Sequence, residues 1–142
     1  MTLHKLCVGS LLLVLGGLCT AQQVEIKIVP VKNIDRTSGE KMYAGYCAVC
    51  HGTDGKGAGP AAKALKTAPA DLTALAKRNN GKFPTNRVYS TIVGDTATRL
   101  HNDKDMPVWG SLFLKFYETP TTQSDVALRA TNLTRYVKSL QQ

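Results

Sequence analysis

Residues 47–51 read Cys-Ala-Val-Cys-His, and no other stretch constrains the fold of this chain as strongly. Two thiols three positions apart share one side of a helical turn, and the next residue sets an imidazole beside them. The grouping suits covalent attachment of a haem: each sulfur can add to one vinyl group of a single porphyrin while the histidine comes under the iron. A zinc ribbon would need a second Cys/His pair at matching spacing, and a thioredoxin-like redox motif would need a strand, a turn and a helix around the two cysteines. Neither context is present. The other cysteines, Cys7 and Cys19, lie near the N-terminus, whereas the pentad runs into Gly52, Gly55, Gly57, Gly59 and Pro60. Such a loop can wrap closely round a flat cofactor edge. It would also suit a phosphate, but no strand precedes it and no Gly-Lys-Ser/Thr follows.

A chain of 142 residues is one domain with room for a leader. Lys5, the apolar run over residues 6–18 and the triplet Cys19-Thr20-Ala21 read as a signal peptide over 1–21, cleaved before Gln22. The run is shorter than the roughly 20 residues of a membrane span. An uncleaved leader is the alternative, and Cys19 raises a lipid anchor, although Leu18 stands where a small residue is usual. The leader removes only Lys5 from the charge balance, so 18 Lys and Arg against 10 Asp and Glu leave a basic domain. No recognition motif or dense basic stripe accompanies that charge, so no nucleic-acid partner is expected. Lysines at 56, 63, 66, 77, 82, 104 and 115 keep the domain soluble or, grouped round a cofactor edge, would steer acidic partners.

Hydrophobic periodicity argues for an all-α domain. Residues 24–28 alternate with strand period before Pro30, and residues 22–37 are read as an extended N-terminal arm. Thr37 or Ser38 can cap a first helix from 39 to about 48, in which Gly39 and Tyr43 share a face that another helix can cross. Residues 61–66 and 71–78 read as short helices on either side of Ala68-Pro69-Ala70, with Asp71 as a cap and Leu72 and Leu75 inward. A third helix opens at Pro84 and runs to about Gly94, carrying Val88, Tyr89 and Ile92. Residues 94–105 are polar and irregular. A last helix from 124 to about 140 repeats Val126, Ala130, Leu133, Val137 and Leu140 at spacings of four and three.

Gly39, Tyr43 and Cys47 at intervals of four, the pentad with its glycine loop, the run Asp105-Met106-Pro107-Val108-Trp109-Gly110, and a last helix with Leu133 and Tyr136 form one ordered pattern. Over residues 38–142 the chain resembles the monohaem class I c-type cytochromes. The resemblance implies the class I cytochrome c fold, with about four to five short helices around one haem c held by Cys47 and Cys50 and with the first and last helices crossing. It also implies an extracytoplasmic, periplasmic setting, since haem of this type is attached outside the cytoplasm. His101-Asn102 departs from the His-Gly often found there in related chains.

His51 is the expected proximal iron ligand, being next to the thioether sites. Beyond the leader the other histidine is His101, which competes with Met106 for the sixth position. A thioether before a proline is the usual distal ligand in proteins resembling this one, and Pro107 holds its predecessor extended. Met42, on the first helix, is read as core. Trp109 either donates its indole N–H to a haem propionate or is a buried anchor. Arg87, Tyr89 and Arg99 are further propionate candidates. The resemblance implies a proline carbonyl orienting His51, with Pro60 as first candidate and Pro69 in reserve.

With both axial positions filled, the site has no place for substrate chemistry, so the expectation is a one-electron carrier and no enzyme. Its expected partners are a quinol-oxidising complex or dehydrogenase as donor and a terminal oxidase as acceptor, with membrane association only through partners or an uncleaved or lipidated N-terminus. The alternatives are a fixed haem subunit of a larger oxidoreductase, or a gas sensor or peroxidase with a labile sixth position.

Overall fold

A computed structural model describes residues 34–94, 106–115 and 121–142. Among them all regular structure is helical: α1 (Gly39–Met42), a π-helical turn (Tyr43–Cys47), α2 (Ala48–His51), α3 (Thr85–Val93), α4 (Trp109–Lys115) and α5 (Gln123–Ser139). Two 3₁₀ turns, Ala62–Ala64 and Lys77–Asn79, lie in the long connection between α2 and α3.

The last helix organises the rest. Thr122 begins it with a capping box: its hydroxyl accepts from the Asp125 N–H, and the Asp125 carboxylate accepts in turn from the Thr122 N–H at 3.1 Å. The same carboxylate also accepts from the Thr122 hydroxyl at 2.9 Å, and the two bonds it accepts, that from the backbone N–H first, hold the Asp125 carboxyl below the usual carboxylate range. The inward face of α5 buries Val126, Ala130, Leu133 and Val137 as expected, together with Arg129 and Thr134. α1, α3 and α4 all pack on it.

α1 crosses α5 at Gly39, where an added Cβ would lie 2.9 Å from the Asn132 carbonyl carbon and 3.0 Å from the Tyr136 Cβ. Only a glycine admits that approach, and one turn on Tyr43 fills the crossing against Tyr136, ring centres 5.1 Å apart. The residues just before α1 are tied to the same helix. Arg129 donates to the Ile34 carbonyl at 3.1 Å, Asn132 donates to the Arg36 carbonyl at 3.0 Å, and Arg36 pairs with Asp125.

Four elements differ from the sequence reading. The first helix does not stop near Ala48 but continues to His51 through the π turn, in which the Ala48 N–H reaches back to the Tyr43 carbonyl. Residues 61–66 and 71–78 form 3₁₀ and irregular turns, in which the Ala61, Leu72 and Ala76 N–H groups and the Leu72 carbonyl find partners outside the segment. α4 starts at Trp109, within a stretch too short for periodicity to reveal. The leader, residues 22–33 of the arm, His101 and Arg99 lie outside the described residues.

Candidate cofactor site

The pentad occupies the end of the α1–α2 helical stretch. A π turn adds one residue to the helical ladder, so positions after it are rotated by roughly 100° relative to an unbroken α-helix. Gly39, before the turn, and Tyr43, which opens it, meet α5 at Asn132 and Tyr136, while Cys47, which closes the turn, and His51 beyond it border a cleft.

At the end of α2 three carbonyls are left over, and the glycine-rich loop folds back to meet them. Val49, Cys50 and His51 accept from the N–H groups of Ala61, Gly59 and Gly57 at 2.9, 2.9 and 2.8 Å. At Gly59 the approach is so close that a Cβ would stand 2.6 Å from the Ala48 oxygen. The glycines therefore serve backbone-to-backbone docking beneath the pentad.

His51 is 8% exposed, and its Nδ1 lies 3.0 Å from the Ala70 carbonyl. Facing an acceptor, Nδ1 carries the proton, which leaves Nε2 as the nitrogen with a lone pair. This corrects the expected partner. Pro60 is exposed, because its neighbours Gly59 and Ala61 are docked on α2, and neither Pro60 nor Pro69 supplies the carbonyl. The chain returns to His51 only at Ala70. Burial, and then the nearby Cys50, pushes the Cys47 thiol up to about 12, and burial raises Cys50 as well. Thiols so shifted are poor thiolates, unlike those of a redox-active Cys-x-x-Cys pair.

Cys47, His51 and Met106 line one cleft of about 890 Å³, including its open mouth. Leu72, Leu75, Val88, Ile92, Leu133 and Val137 make the lining mostly apolar, and Arg78, Asn79 and Arg87 add polar groups. An apolar slot bordered by an imidazole, a thioether and a thiol, with cations available for carboxylates, fits a haem. Among the described residues no cluster of His, Cys, Asp and Glu offers a separate metal site.

The other candidates divide between the cleft and the core. Trp109 is partly exposed and does not line the cleft. It packs on Tyr46 and Phe113 with ring centres 5.2 and 5.8 Å away. Cys50 is partly buried one turn after Cys47, and Met42 is buried in the core. Of the propionate candidates Arg87 lines the cleft and Tyr89 packs on the core instead. Sequence reasoning missed Ala70, which acts through its backbone and so leaves no side-chain signal, and Arg78, whose placement depends on the irregular turn after Asp71.

An all-helical fold around an apolar cleft that carries Cys-x-x-Cys-His on its border defines a c-type cytochrome domain, an electron-transfer haem protein with covalently bound haem c. The chain belongs to the family described as cytochrome c oxidase, cbb3-type, subunit III, whose model matches residues 35–113. No curated protein and no solved structure matches the chain significantly.

Proposed function

We propose that this chain is a one-electron carrier outside the cytoplasm, with haem c attached through Cys47 and Cys50 and the iron held between His51 and Met106. The observation that carries this reading is the shared cleft: Cys47, His51 and Met106 border the same apolar space although Met106 is 55 residues beyond His51. When bound, the haem supplies a one-electron Fe(III)/Fe(II) couple. The chain's residues do the rest. The Ala70 carbonyl fixes the ring of His51 and leaves its Nε2 for the iron. Soft sulfur from Met106 favours the ferrous state. Leu72, Leu75, Ile92 and Leu133 exclude water and disfavour the added charge of the ferric state, so both effects raise the potential. Arg78 and Arg87 offset the charge of the propionates.

A respiratory role, with electrons passed on to a terminal oxidase, follows from such a potential. The family's description as an oxidase subunit favours a second reading, in which the same domain is a fixed haem subunit of an oxidase. Co-elution with an oxidase on gel filtration of native extract supports the subunit, and elution at the size of the chain alone supports the free carrier. The ligand set is tested with carbon monoxide. The reduced wild-type protein is expected to resist it and Met106→Ala to bind it, whereas His101→Ala should leave the spectrum as it was. A silent Met106→Ala with a disrupted His101→Ala would overturn the reading.

A further inference from the structure

Sequence periodicity expects a helix over residues 71–78, and its first turn is held open by a side chain from the far end of the chain. Leu72 and Ala76 stand four apart, so in an α-helix the Ala76 N–H would donate to the Leu72 carbonyl. Here Gln141 comes between them. Its Oε1 accepts from the Ala76 N–H at 2.8 Å, and its Nε2 donates to the Leu72 carbonyl at 2.8 Å. The second Nε2 hydrogen reaches the Val137 carbonyl at 2.8 Å, one turn back on α5. With a donor facing one end of the amide and two acceptors the other, only this orientation of the carboxamide satisfies all three bonds. The next residue repeats the tie: the Gln142 N–H donates to the Thr73 carbonyl at 3.1 Å.

The segment so held carries the acceptor for the histidine. Ala70, whose carbonyl meets the His51 Nδ1, lies two residues before Leu72, and the Leu72 N–H donates to the Gly55 carbonyl at 2.7 Å. Between these anchors there is little slack, since a bond at Leu72 fixes the peptide planes on either side of it.

We propose that Gln141 is a positioning residue for His51: its carboxamide, wedged between the Leu72 carbonyl and the Ala76 amide, keeps residues 70–76 in the register that brings the Ala70 carbonyl to the His51 ring. The inference rests on the reading of His51 as an iron ligand. A side chain inserted into a helical ladder opens it, and its removal lets the ladder close. Without Gln141 the Leu72 carbonyl and the Ala76 N–H pair with each other, and the resulting twist turns the Ala70 carbonyl from the imidazole. A ligating histidine that loses the acceptor on its other nitrogen becomes a weaker donor, so the ferric state loses more than the ferrous.

The test uses the exported holoprotein with Gln141→Leu, similar in size but without hydrogen-bonding groups, and Gln141→Asn, which keeps the amide on a shorter stem. Thr122→Ala, at the remote cap of α5, controls for loss of stability alone. The expected result is a severalfold rise in the ferrous-to-ferric ratio at a fixed applied potential and faster solvent exchange of the His51 Nδ1–H in the ferrous NMR spectrum. Both effects should be largest in Gln141→Leu and absent from Thr122→Ala. If Gln141→Leu yields no folded holoprotein, Gln141→Asn carries the same two readouts with the same sign. Unchanged exchange and ratio, or equal shifts in Thr122→Ala, would overturn the inference. Failure of the parent reading looks different: the His51 ring protons of the wild-type ferrous protein would lack the upfield shifts of an imidazole held over the porphyrin, and both readings would fall together.

Discussion

Part of the cleft lining is helical, with Val88 and Ile92 from α3 and Leu133 and Val137 from α5, whereas another part is irregular chain that carries Ala70, Leu72 and Leu75. Apolar burial holds the first: Leu133 is 1% exposed and Val137 4%, and both belong to the same core as Tyr43 and Phe113. The second has only the buried Thr73 and half-buried leucines to contribute, and is held by hydrogen bonds to Gly55, Gln141 and Gln142. A helical wall loses stability when a side chain shrinks. A wall of tied backbone is sensitive instead to a single Cβ or amide, and it is this wall that meets the proposed proximal ligand.

The largest expected effect is in the helical wall. Leu133→Ala should lower stability by about 2–5 kcal/mol, seen as a fall in the denaturation midpoint of the holoprotein. A loss of a few tenths would mean that the α5 wall is not tightly packed, and the contrast would disappear. Two glycine variants then compare the regions directly. Gly39→Val, at the α1–α5 crossing, and Gly59→Ala, under the end of α2, each force a Cβ against backbone and should each cost about 1–3 kcal/mol by overpacking. They should differ in the spectrum. Gly59→Ala displaces the carbonyls of the pentad and should shift the haem bands, while Gly39→Val should leave them in place. Equal spectral shifts would show that the two regions move as one body.

Smaller again is Thr122→Ala, which removes the cap of α5 and should cost about 1 kcal/mol without a spectral change. The smallest effects come from carboxylates. Asp71 is held below its ordinary range first by the Thr73 hydroxyl and then by the Thr73 N–H, Asp35 in the same way by Thr37, and Asp125 first by the Thr122 N–H and then by its hydroxyl. A depressed folded value means that the native state binds fewer protons. The stability these groups contribute is complete above their unfolded value of about 3.9 and is lost as pH falls through the lower folded values. All three are solvent-accessible, so the loss should be modest. Acid titration of Asp71→Asn against Asp125→Asn should show the Asp71 contribution in the haem bands and the Asp125 contribution only in the midpoint.

The helices were legible where the signal is local. In α5 the apolar spacing announced the helix, its Thr122 cap appearing only in the structure, and α3 has Pro84 before it and Gly94, in the left-handed region, behind it. The Gly39–Tyr43 spacing likewise announced a crossing, at which Tyr136 meets both residues as expected, whereas Leu133 lines the cleft. Residues 71–78 misled because their pattern is that of a capped helix, and the obstacle to that helix, Gln141, lies 65 residues beyond Ala76. The short α4 had no room to display a period.

For the site, the pentad, Met106 and Trp109 stood out by chemistry, since thiols at this spacing, a thioether before proline and a lone tryptophan are rare in any chain. The sequence by itself determined the cofactor class, the helical architecture and the side chains available to the cofactor, because covalent chemistry and helical period are properties of neighbouring residues. Tertiary structure decided which of them meet. Trp109 went to Tyr46 and Phe113 because aromatic rings bury most area against one another. The carbonyl facing His51 came from Ala70, and not from a proline, because the glycine loop had docked Gly59 and Ala61 on α2 and the open turn at Gln141 fixed where the chain returned. Every residue has a backbone carbonyl, so sequence alone does not distinguish the one that will reach the ring; its position depends on distant parts of the chain.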